Sequence, residues 1–374
     1  MIRRIIAIAF ILGLAVSYVP VSAAEITVLL EGTPIEFDVP PQIIEARTMV
    51  PMRAILEALG AEVIWLPETP QDIIAHTPDG NTIRMSVGSP IIHINDRNEV
   101  MDVAPQLVYD RTLVPARFVA QAMDLYVGWV ATSQTVVIGE WSSWFTNTRY
   151  LELINHNHRF GAEPNRDLIV SAWPTVAVRA TDVTLHSTAL EAVSEMFGAA
   201  VEDGTTTLFV SSGYRNYYEQ AEVYHSGIDR DMVLPPGYSE HHSGLGIDIL
   251  ALGVPQLEMA DAPEGRWLAE NSWRFGIILR YPEGREDITG IAHEHWHFRY
   301  VGQPHAWFMH YNDMVLEEYI QFLRETGGFA AAFEGREYLV RYQIPTSGRL
   351  HIPANINSVV SGDNAGGYII TSWE

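Results

Sequence analysis

The sequence predicts an α+β protein with more than one domain. The chain has 374 residues, which is enough for two or three domains of ordinary size. Its hydrophobic fraction of 47% is sufficient for buried cores. Stretches with helical and with strand periodicity follow one another in mixed order, which favours α+β over a regular alternation around a parallel sheet.

The N-terminal segment has the pattern of a secretion signal. Arg3 and Arg4 precede an apolar run, and small residues occupy positions 22–24. This arrangement is typical of a cleaved signal peptide, and the run is short for a membrane-spanning helix. We therefore expect residues 1–24 to be removed, leaving a secreted protein on the extracellular side of the cell envelope without a stable membrane span.

Residues 25–140 contain an internal repeat. Residues 38–65 align with residues 102–129, and the offset of 64 holds at both ends (102 − 38 and 129 − 65). Each copy predicts a short strand, a turn at R-T-x-V-P, an amphipathic helix and a strand ending in Trp. The matched Arg47 and Arg111 are expected to form structural ion pairs with acids, and no residue of either copy has a catalytic pattern.

The rest of the chain mixes helices and strands. Helices are predicted around residues 190–200, up to residues 275–276 and near Leu316, with apolar strands at TTLFVSS and GIILRY. Alternating apolar and polar residues in the tail predict short strands. We expect a central domain at residues 149–327 and a small C-terminal β extension at residues 328–374.

The composition excludes several functions. A net charge of −23 argues against a nucleic-acid partner, because phosphates require a basic surface. The chain has no Cys, which excludes disulfides, thiol nucleophiles and thiolate metal sites. A metal site would have to use His, Asp and Glu.

Two stretches carry candidate metal ligands. SEHHSGLGIDI, from residue 239, places His241 and Asp248 around two glycines that permit a tight bend. HEHWHFRYVG, from residue 293, concentrates three His and one Glu in five residues. Zinc accepts imidazole nitrogen and carboxylate oxygen, and a catalytic zinc keeps one position open. Two His and one Asp would satisfy this rule.

An alternative interpretation starts from the second stretch alone. His293, Glu294 and His297 also fit H-E-x-x-H, the zincin pattern, which requires a helix so that both His share a face. The flanking Gly290 and the aromatic and β-branched residues favour a strand instead. Both interpretations retain Glu294 and His297, but they differ over His293 against the pair of His241 and Asp248.

Together these motifs resemble the VanY-type D-alanyl-D-alanine carboxypeptidases, within the wider group of zinc D,D- and L,D-peptidases. The family pattern S-x-H-x-x-G-x-[AG]-x-D matches from Ser239 to Asp248, E-x-W-H matches from Glu294 to His297, and S-G-Y-R-x-x-x-x-Q matches from residue 212 to Gln220. The chain departs from the family at two positions, with His242 after the first ligand and His295 before the Trp, so participation of His295 or His293 in metal binding stays open.

The resemblance implies a zinc D,D-peptidase fold of the hedgehog/DD-peptidase type. It implies a zinc carboxypeptidase that removes the terminal D-amino acid of peptidoglycan stem peptides, with D,D or L,D specificity open. A non-catalytic wall-binding protein is the alternative from another class. The implied roles are zinc ligation by His241, Asp248 and His297, general base catalysis by Glu294, binding of the substrate carbonyl by Arg215, and peptide binding by Gln220 and Ser239.

The repeat at residues 25–140 resembles the copper amine oxidase N-terminal domain. It has no His cluster and no cofactor Tyr motif, so the resemblance implies an accessory module, with contact to the cell wall as a possible role, and no copper chemistry.

Overall fold

The computed structural model describes residues 25–373, apart from residues 67, 70, 143–144, 162–163 and 229–231. The signal peptide expected at residues 1–24 lies outside the described residues. Within the described ranges, every helix is too short or too polar to cross a lipid bilayer.

The N-terminal region contains three sheets and two short helices among its described residues. The sheets have the strand orders β12-β13-β1-β2, β10-β11-β4-β3 and β5-β6-β7-β8-β9. The elements are β1 (Thr27–Leu30), β2 (Thr33–Pro34), β3 (Gln42–Ile44), β4 (Arg47–Pro51), α1 (Met52–Ala58), β5 (Glu62–Trp65), β6 (Asp72–His76), β7 (Thr82–Ser86), β8 (Ile91–Ile94), β9 (Arg97–Val100), β10 (Gln106–Val108), β11 (Arg111–Pro115), α2 (Ala116–Ala122), β12 (Tyr126–Val130) and β13 (Thr135–Gly139).

The two repeat copies face each other through matched elements. Val50 on β4 pairs with Val114 on β11, its counterpart in the other copy. The predicted turn at R-T-x-V-P is wrong, because these residues form β4 and β11. The turns lie just before them, where residues 45–46 and 109–110 have positive φ and close two-residue hairpins.

Reciprocal ion pairs join the copies. Arg47 of the first copy pairs with Asp102 of the second, and Arg111 of the second pairs with Asp38 of the first at 2.6 Å. These pairs are solvent-exposed, so each contributes little to stability, on the order of 0–1 kcal/mol. The apolar faces of α1 and α2 supply the shared core.

The central region is built around a four-stranded antiparallel sheet of order β16-β17-β19-β18. Helix α3 covers one face of this sheet through a continuous apolar core. The elements are β14 (Ile169–Ser171), β15 (Thr184–His186), α3 (Ser187–Glu202), β16 (Leu208–Ser212), α4 (Tyr217–His225), β17 (Gly246–Ala251), α5 (Pro263–Asn271), β18 (Ile277–Tyr281), α6 (Glu286–Thr289), β19 (Glu294–Tyr300), α7 (Gln303–Tyr311) and α8 (Leu316–Thr326).

The H-E-x-x-H stretch lies on a strand. Glu294 begins β19, and Gly290 ends the preceding α6 in a left-handed conformation. His293 precedes the strand, and in an extended chain residues four apart are separated by about 13 Å, whereas the zincin pattern needs the one-turn spacing of a helix. The zincin alternative is therefore wrong, because it requires a helix at this stretch. The mixture of sheets and helices in the described residues confirms the predicted α+β class.

The C-terminal strands form a sheet of order β20-β21-β23-β22. This sheet packs against α7 and α8, and Phe329 on β20 stacks on Phe308 with ring centroids 4.1 Å apart. The tail therefore shares a hydrophobic core with the central region. The strands are β20 (Gly328–Phe333), β21 (Arg336–Gln343), β22 (Asn357–Gly362) and β23 (Tyr368–Trp373).

A Phe329→Ala variant tests this shared core. Phe329 is buried, so we expect the substitution to lower the free energy of unfolding by about 3–5 kcal/mol. Leu257→Ala, at an exposed position, is the matched control and should change it by less than about 0.5 kcal/mol. Urea unfolding monitored by circular dichroism measures both. Equal stability of the two variants would show that the C-terminal sheet does not support the helices.

Candidate metal centre

Three of the predicted site residues come together on one face of the central sheet. Ligand atoms of His241, Asp248 and His297 all lie within 4.8 Å of one another, the one such group found among the described residues. Asp248 on β17 and His297 on β19 are directly opposite in the antiparallel register, where side chains on one face are close neighbours.

His241 reaches this pair from a tight turn. It lies in a 3-10 turn, Glu240–Ser243, that ends at Gly244 with φ +71°. A Cβ at Gly244 would lie 2.6 Å from the end of the Ile169 side chain and 3.0 Å from the His186 backbone nitrogen, so a larger residue would have to displace these neighbours and also adopt a positive φ. The glycine lets the chain reverse and brings the His241 imidazole above β17.

The imidazole orientations leave one nitrogen of each His directed at Asp248. His241 Nδ1 donates to the Gly213 carbonyl at 2.6 Å, and its Nε2 lies 3.4 Å from Asp248 Oδ2. His297 Nδ1 lies 2.9 Å from Asp248 Oδ1, and its Nε2 lies 3.5 Å from Glu240. A carbonyl or carboxylate on the outer nitrogen is the usual support for a metal-binding His.

Glu240 is a residue of this candidate site that the sequence analysis missed. Its carboxylate is fully buried between Arg280, at 2.8 Å, and Arg299, at 3.0 Å. Burial alone would raise the pKa of Glu240, but the two guanidinium groups outweigh it and hold the pKa far below its ordinary value. The charged carboxylate faces His297, and its position beside His241 in the first motif was the available signal.

Glu294 stands beside the cluster at the start of β19 and lines the same cavity. Its side chain is almost completely buried. Burial raises the pKa of Glu294 to about 8, against the opposing charges of His297 and Arg215. A carboxyl whose pKa lies near neutrality can both accept and donate a proton.

Arg215 and Gln220 form a fixed pair at the cavity wall. The Arg215 guanidinium donates to Gln220 Oε1 at 2.8 Å, to Asp248 Oδ2 at 3.2 Å and to Ser212 Oγ at 3.2 Å. Gln220 Nε2 donates to the Leu234 carbonyl at 2.7 Å. Gln220 therefore orients Arg215, in addition to lining the cavity.

Ser239 lines the cavity and also caps the turn that carries His241, accepting a hydrogen bond from the His241 backbone N–H at 3.4 Å. The cavity has a volume of about 340 Å³ and contains all seven predicted site residues. Trp296 forms part of its wall and is largely buried, so it also packs in the interior.

The three remaining His of the motifs lie outside the group of candidate ligands formed by His241, Asp248 and His297. His242 Nε2 accepts from the Gly237 N–H, and its Nδ1 donates to the Arg215 carbonyl, both at 2.8 Å. His293 and His295 bond to each other through ring nitrogens, and His293 Nδ1 also bonds the Tyr281 carbonyl. Both nitrogens of His242 and His293 are thus occupied within the protein.

Comparisons with known proteins agree with this architecture. Residues 182–303 match the family model of D-alanyl-D-alanine carboxypeptidases, and residues 29–138 match that of the copper amine oxidase N-terminal domain. A D-alanyl-D-alanine carboxypeptidase of Enterococcus faecium is 41% identical over 179 residues, covering 48% of this chain and 58% of the relative. A putative carboxypeptidase, YodJ, of Bacillus subtilis is 35% identical over 148 residues, covering 37% and 54%.

The fold is also similar to that of solved structures, one of which is a D,D-dipeptidase. The vancomycin resistance D,D-dipeptidase VanXYg, in complex with a D-Ala-D-Ala phosphinate analogue, is 26% identical with a TM-score of 0.54, covering 60% of this chain and 94% of that one. The chain spans only a little more than half the length of the curated relatives named above.

The central region therefore has the fold of the D,D-peptidases. Residues 182–303 are thus similar to the D-alanyl-D-alanine carboxypeptidases, and residues 29–138 are similar to the copper amine oxidase N-terminal domain. Both resemblances drawn from the sequence motifs are confirmed.

A Glu240→Gln variant tests the buried ion cluster. Loss of this charge leaves Arg280 and Arg299 short of their common partner, so we expect the free energy of unfolding to fall by about 3–5 kcal/mol. Glu202→Gln, at an exposed position near the end of α3, is the control and should be nearly neutral. Urea unfolding of the metal-free proteins measures the stability of both variants against wild type. An unchanged unfolding midpoint for Glu240→Gln would contradict this account.

Proposed function

We propose that this protein is a zinc-dependent carboxypeptidase that hydrolyses the terminal D-alanine from peptidoglycan stem peptides ending in D-Ala-D-Ala. The observation that carries the proposal is the convergence of His241, Asp248 and His297 beside the buried Glu294, within a domain of the D-alanyl-D-alanine carboxypeptidase family. L,D-carboxypeptidase activity is the second candidate, because the same ligand set serves both bond types in the wider group.

The donor set fits zinc. Two imidazole nitrogens and one carboxylate oxygen, without thiols, are the ligands of a catalytic zinc that keeps one position open. His241, Asp248 and His297 would hold the ion, and Arg215 and Glu294 stay outside the ligand set. When bound, zinc polarises the scissile carbonyl and acidifies water.

Glu294 is the proposed general base. Its carboxyl takes a proton from the attacking water and transfers it to the leaving amine. Burial suits this role, because the raised pKa makes the carboxylate a stronger base. The enclosed position also limits proton exchange with bulk water.

Arg215 is the proposed electrostatic group for the substrate carbonyl. Its guanidinium stays charged at every working pH, and Gln220 and Ser212 fix its direction. A preoriented positive charge stabilises the oxygen on which negative charge develops during the reaction. Gln220 and Ser239 complete the polar wall against which the peptide backbone binds.

The protein would act outside the cell. The signal-like pattern of residues 1–24 supports secretion, and peptidoglycan is accessible there. The N-terminal repeat is proposed to contact the wall or a partner. Its two hairpins expose matched apolar residues, Ile43 and Leu107, at 55% and 62% of their surface, which supports a contact role.

Glu294→Gln is expected to separate metal binding from hydrolysis. The variant should retain zinc but lose at least about 10²-fold in kcat, because the proton-transfer group is missing. Mass spectrometry of muropeptides measures loss of D-alanine from pentapeptides or tetrapeptides, with and without a chelator, which also separates D,D from L,D specificity. Hydrolysis by Glu294→Gln at the wild-type rate would refute the mechanism.

His293→Ala and Asp248→Ala distinguish the ligand sets. Asp248→Ala should lose stoichiometric zinc, measured by atomic emission after dialysis, because one of three ligands is gone. His293→Ala should retain zinc and most of the activity, because the His293 nitrogens bond Tyr281 and His295. The opposite pattern would support the zincin ligand set. A wild-type protein that binds no zinc and hydrolyses nothing would favour a non-catalytic wall-binding protein.

A further inference from the structure

A second guanidinium lines the metal cavity, that of Arg179. The Arg179 backbone N–H donates to the Val210 carbonyl at 2.9 Å, and Val178 forms a parallel bridge with Val210. These contacts attach the segment to the outer edge of β16, the edge strand of the central sheet. Ser212, two residues further along β16, pairs with Asp248, so the Arg179 backbone lies beside the strand that borders the metal ligands.

The two cavity guanidinium groups differ in their partners. Arg215 is mostly buried and divides its donors among Ser212, Gln220 and Asp248. The Arg179 side chain is exposed and has no ion pair or hydrogen bond with the residues that the structure describes. Other arginines in the described ranges also lack an ion pair, but Arg179 is the one among them that lines the metal cavity.

The acids of the cavity do not supply that partner. Glu240 is neutralised by Arg280 and Arg299, and Asp248 belongs to the ligand cluster and pairs with Arg215. Glu294, the third carboxyl of the cavity, forms no ion pair with Arg179 in the part of the chain that the structure describes. The Arg179 donors are therefore available to a ligand. A guanidinium presents a planar set of donors that matches a carboxylate in a bidentate arrangement.

We propose that Arg179 binds a carboxylate of the substrate and so determines which peptides enter the cavity. The proposal rests on the proposed carboxypeptidase function. Two carboxylates of a stem peptide offer this chemistry, the C-terminal one on the residue to be removed and a side-chain one on an acidic residue further from the cleaved bond. Arg179 would contact a carboxylate of the peptide and not the cleaved bond itself, so its loss should affect KM more than kcat.

The test compares wild type with Arg179→Met on three synthetic peptides that end in D-Ala-D-Ala. The first carries both free carboxylates, the second has a C-terminal carboxamide, and the third has its internal acidic side chain amidated. Product release, followed by mass spectrometry, yields kcat and KM for each. Arg179→Lys retains the charge and should recover part of the binding, and Arg336→Met, at an exposed position outside the cavity, is the matched control.

For wild type, one of the two amidations should raise KM about tenfold, which identifies the carboxylate that is bound. Arg179→Met should show the same rise on the unmodified peptide, with kcat within about twofold of wild type, and should no longer respond to that amidation. If Arg179→Met has the KM of wild type and responds equally to both amidations, Arg179 is not the carboxylate group, and the carboxypeptidase function still stands. If wild type hydrolyses none of the peptides, the proposed function fails, and this inference fails with it.

Discussion

The site depends on one buried carboxylate, that of Glu240. It would be neutral if it were buried alone, but Arg280 and Arg299 keep it charged from one side, and on the other side it faces His297 Nε2. A charged acceptor at that position favours the tautomer whose free nitrogen is Nδ1, directed at Asp248. Arg280 also pairs with Glu317 on α8 at 2.7 Å, so the same network links the metal cluster to the helix that packs under the C-terminal sheet.

The backbone brings the remaining groups to that network. Antiparallel pairing sets Asp248 opposite His297, and a shift of one residue in this register would turn one of them to the helix-covered face. The glycine-terminated turn adds His241 from above. The proposed ligands therefore lie on hydrogen-bonded strands and a capped turn, which hold them more rigidly than a loop would. The N-terminal repeat, by contrast, uses its symmetry for packing and for exposed ion pairs.

A structural feature could be predicted from the sequence when its signal lies within one short stretch of residues. The α+β class, helices α3 and α8 and the motif residues were predictable, because periodicity, glycine stops and His-Asp-Glu spacing lie within short stretches. Glu240 was not, because its partners Arg280 and Arg299 are distant in sequence and nothing marks the three as one ion cluster. The R-T-x-V-P segment was misassigned for a different reason. Its Pro suggested a turn, but the true turns at residues 45–46 and 109–110 contain no glycine to indicate their positive φ.

Three carboxyl groups line the cavity, and their surroundings shift their pKa values in different directions. Burial tends to raise the pKa of each one. For Glu240 the two arginines reverse this tendency, and for Asp248 the neighbouring His241 and His297 do so and hold its pKa well below the ordinary value. Glu294 has weaker opposing charges together with the repulsion of Asp248 and Glu240, so its pKa rises to about 8. Pairs of acids whose pKa values are separated by their environment are typical of acid–base sites. The same chemical group would therefore serve as support, as metal ligand and as proton acceptor within one cavity, because neighbouring charges set the pKa of each carboxyl separately.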